Sequence, residues 1–391
     1  MLRKLLVLLA PIALLLALEA LFEAGVWEPL AKPASHAGTS VRMKQALLDP
    51  VAARLDYVTL GSSRPEYGID HALLAATAKR YGRVHADLSM PGAHWMTVGI
   101  LARWLQRNHP EIRGGIIALS IQDLMYPGNG DYELGVVEPF RRLADIPWIV
   151  AHVPFEAGDI GSYGSLSALF AWRSDIQDFV RNPTAREDSI DWYRANSLPR
   201  ERLFANPASH GDMCRSGTAR LDACDRIEAS TGAAQDGLKR QCRELRAYAA
   251  DRRDYRSEMR QPALPDDMRR LRELVQAQLR AMRWPDPPLV VLMPMPRLWT
   301  RDVLGNGLHA WALAVLQPLA DEGSIRLVDA TGFFAGDGDA ECAMFFDFYH
   351  QNGAGRERLT RWLLPQVERF LYQDASGAAT PPSGANEPLP R

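Results

Sequence analysis

The sequence predicts an α/β protein that is built on a parallel sheet with helices on both faces. Short apolar runs alternate with helical patterns near both ends of the chain, and this alternation is typical of strand–helix–strand units. One run, 114–121, is apolar enough to be buried on both faces, as the strands of a parallel sheet are. Gln122 and Asp123 follow it, at the strand end where open α/β sheets bind ligands.

The same patterns place the individual elements in order. Strands are predicted at 55–60, 83–89, 114–121, 288–294 and 325–329. Helices are predicted at 40–48, 70–81, 96–109, 308–319 and 356–371.

Composition divides the chain into six segments. Strand–helix alternation stops near residue 127 and resumes near 286, which indicates a mostly helical insertion or cap between two halves of the sheet domain. The segments are a signal anchor or transmembrane helix at 1–27, a linker and short helix at 28–54, the first half of the sheet domain at 55–126, the insertion at 127–285, the second half at 286–372, and a disordered tail rich in Pro, Gly, Ser and Ala at 373–391.

The N-terminus predicts export. Arg3 and Lys4 precede the apolar run Leu5–Leu18, which has the length of a signal peptide and is short of the roughly 20 residues that span a bilayer unless the helix continues to Trp27. We expect an uncleaved anchor in the cytoplasmic (inner) membrane with the folded body in the periplasm. A cleaved signal peptide is the alternative.

Overall charge excludes one class of partner. The chain has 391 residues, of which 47% are hydrophobic, and a formal net charge of -2. It lacks the basic field that holds a nucleic-acid backbone, so we expect no nucleic-acid partner.

The cysteines are typical of an oxidising compartment. Cys214, Cys224, Cys242 and Cys342 contain no Cys-x-x-Cys spacing, which argues against a zinc or redox site. Four cysteines allow three pairings. Our working hypothesis pairs Cys214 with Cys224 and Cys242 with Cys342, and free buried thiols are the alternative.

A serine turn follows the first strand. Leu60-Gly61-Ser62-Ser63 ends an apolar run and leads into a predicted helix. A serine on such a strand-to-helix turn is exposed and close to helix N–H groups, where a nucleophilic hydroxyl is useful. The same segment is also typical of an ordinary turn with a helix cap.

The second motif lies near the other end of the chain. Asp347 and His350 are three residues apart in a loop that leads into the last helix, so both can project to the same side. The carboxylate can then fix the imidazole tautomer and stabilise the imidazolium that forms when His350 accepts a serine proton. An N-cap beside an exposed histidine is the alternative.

Together these segments resemble the SGNH (GDSL-type) hydrolase superfamily over 55–125 and 286–372. Its members carry a serine in a Gly-x-Ser turn after the first strand, a glycine after the second and Asp-x-x-His before the final helix. The first block matches at Ser63 rather than Ser62, the second at Gly92 and the last at Asp347-x-x-His350. The third block departs, because Gln122 stands where an asparagine is usual.

The resemblance implies a three-layer α/β/α fold and a Ser-His-Asp acyl-transfer mechanism. Ser63 would be the nucleophile, His350 the base and Asp347 the orienting group, while the backbone N–H groups of Ser63 and Gly92, with the side chain of Gln122, would form the oxyanion hole. The resemblance calls for no cofactor, and the sequence holds no metal-ligand cluster.

Four further residues are candidates for substrate contact. Arg64, His94, Arg297 and Trp299 lie on loops that are expected at the carboxyl ends of strands. Surface or packing roles are the alternative for each of them.

Within the superfamily, the chain resembles the exported branch that includes teichoic-acid D-alanylation and alginate O-acetylation proteins. This resemblance depends on the N-terminal anchor, the Gly-Ser-Ser turn and the large insertion. The resemblance implies transfer or removal of an acetyl or D-alanyl group on a cell-envelope glycan or glycopolymer, with a membrane-bound O-acyltransferase as partner. The alternative is a catalytically silent domain that binds a glycan or acts as a scaffold in such a complex.

Overall fold

Five parallel strands form one sheet, which confirms the predicted α/β class with a parallel sheet. They are β1 (Tyr57–Gly61), β2 (His85–Asp87), β3 (Gly114–Leu119), β4 (Leu289–Leu292) and β5 (Arg326–Asp329), in the order β2-β1-β3-β4-β5. The three central strands are buried along their whole length, as expected for the middle of a parallel sheet.

The computed structural model describes most of the chain. The described residues are 2–49, 54–93, 95–125, 131–152, 164, 166–196, 206–209, 211–216, 218, 221–229, 236–250, 253–302 and 307–373.

Helices occupy much of the remaining described chain. In chain order the α-helices are α1 (Leu2–Glu23), α2 (His36–Leu48), α3 (Ser63–Gly68), α4 (His71–Arg80), α5 (Trp95–Asn108), α6 (Ile121–Met125), α7 (Asp131–Val137), α8 (Ile146–His152), α9 (Ala168–Ala171), α10 (Arg173–Arg181), α11 (Pro183–Ala195), α12 (Met213–Ser216), α13 (Ala223–Ala229), α14 (Asp236–Ala250), α15 (Tyr255–Arg260), α16 (Asp266–Ala281), α17 (Arg297–Asp302), α18 (Leu308–Asp321) and α19 (Gly353–Val367). Shorter 3₁₀ segments lie at Glu28–Leu30, Glu138–Phe140, Leu143–Asp145 and Ala335–Met344, and a π-helical turn at Glu368–Gln373.

The chain divides into two compact units. Unit 1 contains Met1–Ala53, Met90–Asn108 and Tyr126–Leu203, and unit 2 contains Arg54–Ser89, His109–Met125 and Phe204–Arg391. The sheet belongs entirely to unit 2. The predicted insertion at 127–285 contributes to both units, and its described elements are helices.

In unit 2, helices pack close to the sheet. α3 contacts β1 and β3, α4 contacts β2, and α18 contacts β5. α18 also contacts α15 and α16 from the predicted insertion, and its inward residues Trp311, Val315 and Leu319 are buried. The hydrophobic core of this unit therefore includes helices from both sides of the insertion boundary near residue 286.

In unit 1, α1 is tied to the rest of the unit through acidic side chains near its end. Glu19 accepts hydrogen bonds from the hydroxyl of Ser167 at 2.8 Å and from the N–H of Leu169 at 3.2 Å, which places a carboxylate at the start of α9. Glu23 forms an ion pair with the buried Arg141 at 2.5 Å.

The predictions for the two ends of the chain are not decided by the structure. Within the described residues, no helix is long and apolar enough to cross a membrane, and the anchor at 1–27 stays a prediction. The predicted tail at 373–391 lies outside the described residues, apart from Gln373.

The predicted disulfide pairing is wrong. The bonds join Cys214 to Cys342 and Cys224 to Cys242, with Cα–Cα distances of 5.1 and 5.5 Å. α13 and α14 contact each other and bring Cys224 to Cys242, while α12 contacts the Ala335–Met344 segment and brings Cys214 to Cys342. Tertiary packing decided the partners, so spacing along the chain could not reveal them.

Candidate active site

The serine turn lies where the strand order of the sheet reverses. β1 pairs with β2 on one side and with β3 on the other, and in open α/β sheets ligands bind at the carboxyl ends of strands at this point. β1 ends at Gly61, where an added Cβ would lie 2.4 Å from the backbone oxygen of Ala118 and 2.5 Å from Cγ of Pro65. Only glycine allows this close approach.

The two serines of the turn have different surroundings. Ser62 is 5% exposed, and its hydroxyl accepts from the N–H of Arg64 and donates to Oδ2 of Asp123, both at 3.3 Å. It is therefore the N-cap of α3. Ser63, the first residue of α3, is partly exposed, and its Oγ lies 2.7 Å from Nε2 of His350.

Asp347 lies on the other side of the imidazole. Nδ1 of His350 is 2.9 Å from each carboxylate oxygen of Asp347. Because an ionised carboxylate only accepts hydrogen bonds, Nδ1 carries the proton and Nε2 accepts from the Ser63 hydroxyl. The structure thus brings together the three side chains that the sequence predicted as nucleophile, base and orienting group.

The carboxylate of Asp347 is held in its charged form. Burial acts to raise its pKa, but hydrogen bonds from the His350 ring and from the backbone N–H groups of Tyr349 and His350 outweigh burial, so the pKa lies below its usual value. Both N–H groups donate to Oδ1 at 2.8 Å. A charged Asp347 stabilises an imidazolium at His350.

Aromatic rings surround His350. The Phe346 ring stacks on the imidazole with centroids 5.4 Å apart, and the Tyr67 ring lies 4.9 Å away. Tyr349 contacts the imidazole edge-on at 6.3 Å. These rings limit the orientations of the imidazole.

The end of β3 contributes a capped turn to the same region. The N–H of Ser120 donates to Oδ2 of Asp123 at 2.7 Å, and the N–H of Asp123 donates to Oγ of Ser120 at 3.1 Å. Because Asp123 also accepts from Ser62, this carboxylate joins the loops after β1 and β3.

Arg64 links these loops to the residues at 347–350. Its side chain is 5% exposed, Nη2 donates to Oε1 of Gln122, and Nε lies 3.9 Å from Oδ2 of Asp123. Its guanidinium carbon lies 4.9 Å from the centroid of the Tyr349 ring. The structure therefore gives Arg64 partners within the protein, and its role in substrate contact stays a prediction.

The predicted oxyanion donors are placed as follows. The N–H of Ser63 is in the first turn of α3, where N–H groups have no intrahelical acceptor. The carboxamide of Gln122 directs Oε1 toward Arg64, which leaves the N–H₂ group on the other side of the amide. Gly92 has a left-handed φ of 70° and belongs to unit 1. The oxyanion role of all three stays a prediction.

The remaining residues predicted to contact substrate are His94, Arg297 and Trp299. His94 lies outside the described residues. The exposed Arg297 pairs with Asp339 at 2.8 Å, whereas Trp299 is buried and its Nε1 donates to the carbonyl of Phe348 at 2.9 Å. Trp299 therefore supports the loop that carries Asp347 and His350.

Sequence reasoning missed two polar residues on α14. Nε2 of Gln241 lies 3.5 Å from Oδ2 of Asp347, and Oε2 of Glu244 accepts from the Tyr349 hydroxyl at 2.7 Å. Their spacing of three residues marks one helix face, but nothing in it identifies the loop that the face contacts.

The arrangement can deprotonate a serine hydroxyl and return the proton to a leaving group. Among the described residues, no group of three or more His, Cys, Asp or Glu side chains is placed to hold a metal ion. No protein-family model matches this chain, and no curated protein matches it.

Proposed function

We propose that this protein is a serine acyl-transfer enzyme, an acylesterase or O-acyltransferase that acts through an acyl–Ser63 intermediate. One observation supports it above all: a continuous hydrogen-bonded series from Ser63 Oγ through the His350 ring to Asp347, with contacts of 2.7 and 2.9 Å. A partly exposed serine that is bonded to a base, which is in turn oriented by a carboxylate, is the signature of an activated nucleophile.

The first half of the reaction acylates the serine. Oγ of Ser63 attacks the carbonyl carbon of an ester or thioester while its proton passes to Nε2 of His350. The carbon–oxygen or carbon–sulfur bond to the leaving group breaks, and His350 returns the proton to that group. Asp347 stays ionised throughout and stabilises the imidazolium.

The second half transfers the acyl group. A sugar hydroxyl or water attacks the acyl carbon while its proton passes to Nε2 of His350. The bond between the acyl carbon and Oγ of Ser63 then breaks, and His350 returns the proton to Oγ. The backbone N–H of Ser63 and the side-chain amide of Gln122 are the proposed donors to the oxyanion. Loss of one such donor typically costs about 3 kcal/mol in the barrier.

The finer assignment rests on the sequence motifs. We propose an SGNH-like three-layer α/β/α domain that acts in the cell envelope on a glycan or glycopolymer, with acetyl or D-alanyl as the acyl group. A membrane-bound O-acyltransferase is the proposed source of that group. The observed strand order, with the serine turn at its reversal, supports the sheet topology of such a domain.

The scaffold alternative has an observation of its own. Gln122, which replaces the usual asparagine, directs its carbonyl oxygen to Arg64. If the contact with Arg64 holds the N–H₂ group of Gln122 away from the oxyanion, acyl transfer is slowed, and glycan binding becomes the alternative function of the domain.

Hydrolysis of an aryl acetate tests the proposal. We expect the purified protein to hydrolyse p-nitrophenyl acetate, and Ser63→Ala to lower kcat by at least about 10³-fold, since removal of the nucleophile disables the whole series. Ser62→Ala is the comparison variant: it removes the neighbouring hydroxyl and with it the cap of α3, but leaves the proposed nucleophile, so we expect a much smaller loss.

Two results of this assay would count against the proposal. Equal loss in both serine variants contradicts the assignment of Ser63. No turnover by the wild-type protein, together with binding of an acetylated polysaccharide, supports the scaffold.

A further inference from the structure

The helix α14 lies against the loop that contains Asp347 and His350, although it is about 100 residues away in sequence. It belongs to the part of the insertion that folds into unit 2. Two of its polar side chains, Gln241 and Glu244, contact this loop. Nothing in the reaction described above uses them.

Glu244 acts on the loop through Tyr349. Its carboxylate accepts the Tyr349 hydroxyl at 2.7 Å, and the Tyr349 ring touches both the His350 ring and the Arg64 guanidinium. Tyr349 is 9% exposed, so a hydroxyl that lost this acceptor would be left poorly solvated. The bond therefore fixes the ring that packs beside the base.

Gln241 acts on Asp347 directly. Its amide N–H₂ faces Oδ2 at 3.5 Å, while Oδ1 is already taken by two backbone N–H groups. The side chain thus supports the oxygen that the backbone does not hold.

α14 is also bonded to α13, a helix that does not belong to the Asp347–His350 loop. Cys242, one residue after Gln241, is buried and bonded to Cys224 on α13. Arg246 adds a second link, because its Nη1 donates to Glu228 of α13 at 2.9 Å. Along the helix, Cys242 lies between Gln241 and Glu244. Its bond to Cys224 therefore fixes the position of both side chains relative to α13.

We propose that Gln241 and Glu244 are positioning residues for the Asp347–His350 pair, and that the Cys224–Cys242 disulfide holds their helix in place. The inference rests on the proposed acyl-transfer function. It also assigns a role to the insertion: the second half of the site depends on a helix that lies outside the strand–helix repeat.

The test measures the rate at which a fluorophosphonate probe labels the full chain. We expect Glu244→Ala to slow labelling about 5- to 10-fold, which is in the range that the loss of one ordinary hydrogen bond produces. Glu244→Gln, which keeps an acceptor for the tyrosine, restores most of the rate. Arg243→Ala, on the exposed side of the same helix, is the matched control and leaves the rate unchanged.

A double-mutant comparison separates positioning from a general loss of stability. If Glu244 acts through the tyrosine hydroxyl, Glu244→Ala has little further effect once Tyr349→Phe is present. Additive effects in the two variants would overturn the proposal. Joint replacement of Cys224 and Cys242 by serine should also slow labelling in protein that remains folded by circular dichroism.

A second readout does not depend on activity. The imidazole N–H that bonds to Asp347 should give a downfield proton resonance in the wild-type protein, and Glu244→Ala should broaden or shift it while Arg243→Ala does not. An unchanged resonance in Glu244→Ala overturns the positioning role. A wild-type protein that shows this resonance but is never labelled contradicts the proposed function instead.

Discussion

At the scale of single residues, the two neighbouring serines have different partners. Ser62 caps α3 and bonds to Asp123, which uses its hydroxyl as both acceptor and donor. Ser63 projects its hydroxyl to the imidazole. A change of one position would put a buried cap where Ser63 projects its hydroxyl, so the backbone turn at Gly61 determines which serine faces the imidazole.

Asp347 stays ionised to a lower pH than an ordinary aspartate. Because its folded pKa lies below the ordinary value of 3.8, its ionised form contributes stability above pH 3.8, and that contribution is lost as the pH falls through the lower, folded value. The charged partner of His350 is therefore present throughout the neutral range.

Glu66, three residues after Ser63, shows a pKa shift in the opposite direction. Burial, and then the charge of Asp87, raise its pKa to about 8 from 4.5. Between these values the unfolded chain releases a proton that the folded protein keeps, so the free energy of unfolding falls as the pH rises, by at most about 5 kcal/mol. We expect Glu66→Gln, which never ionises, to lack this loss.

Urea unfolding of both proteins from pH 4 to pH 9 measures the difference. The stability of Glu66→Gln relative to wild type should increase from about pH 4.5 to about pH 8 and then level off. A constant difference across that range would show that Glu66 ionises normally in the folded state.

At the scale of elements, the start of α19 holds the histidine loop in place. Asn352 caps this helix by accepting from the N–H of Gly355 at 3.0 Å, and its amide donates to the carbonyls of Ala343 at 2.7 Å and Gly211 at 3.2 Å. One side chain therefore joins the helix that follows His350 to two other segments of unit 2.

Replacement of Asn352 separates the cap from the crosslinks. Asn352→Ala should lower the free energy of unfolding by about 2 kcal/mol, because the cap and the two hydrogen bonds that the amide donates are lost. Asn352→Asp keeps the cap acceptor and loses only the donors, so we expect a smaller loss. Equal losses in thermal unfolding would mean that the cap contributes nothing.

At the scale of the whole molecule, the two disulfides close loops of very different size. Cys214 and Cys342 are 128 residues apart, whereas Cys224 and Cys242 are 18 apart. The longer loop restrains more of the unfolded chain. We therefore expect removal of the first bond by paired serine substitution to cost about 5 kcal/mol, and removal of the second about 3 kcal/mol.

Chemical denaturation of the two paired variants measures these losses. The reverse order of stability would show that native contacts around each bond, rather than chain entropy, determine its effect.

Sequence patterns predicted the sheet well because local periodicity reports burial. All five predicted strands overlap the observed ones, and the serine and histidine motifs follow β1 and precede α19 as expected. The cysteine pairing, the burial of Arg64 and the contacts of α14 depend on packing between distant segments, which leaves no local periodic signal. The parts of the site that sequence patterns missed are the contacts made by elements distant in sequence from the serine and histidine motifs.

The central claim is that Ser63 is a nucleophile activated by His350. The most direct measurement treats the full chain with a fluorophosphonate and locates the adduct by mass spectrometry of its peptides. The account predicts a single adduct on Ser63 that is absent from His350→Ala. An adduct on Ser62, or labelling that persists in Ser63→Ala, would contradict it.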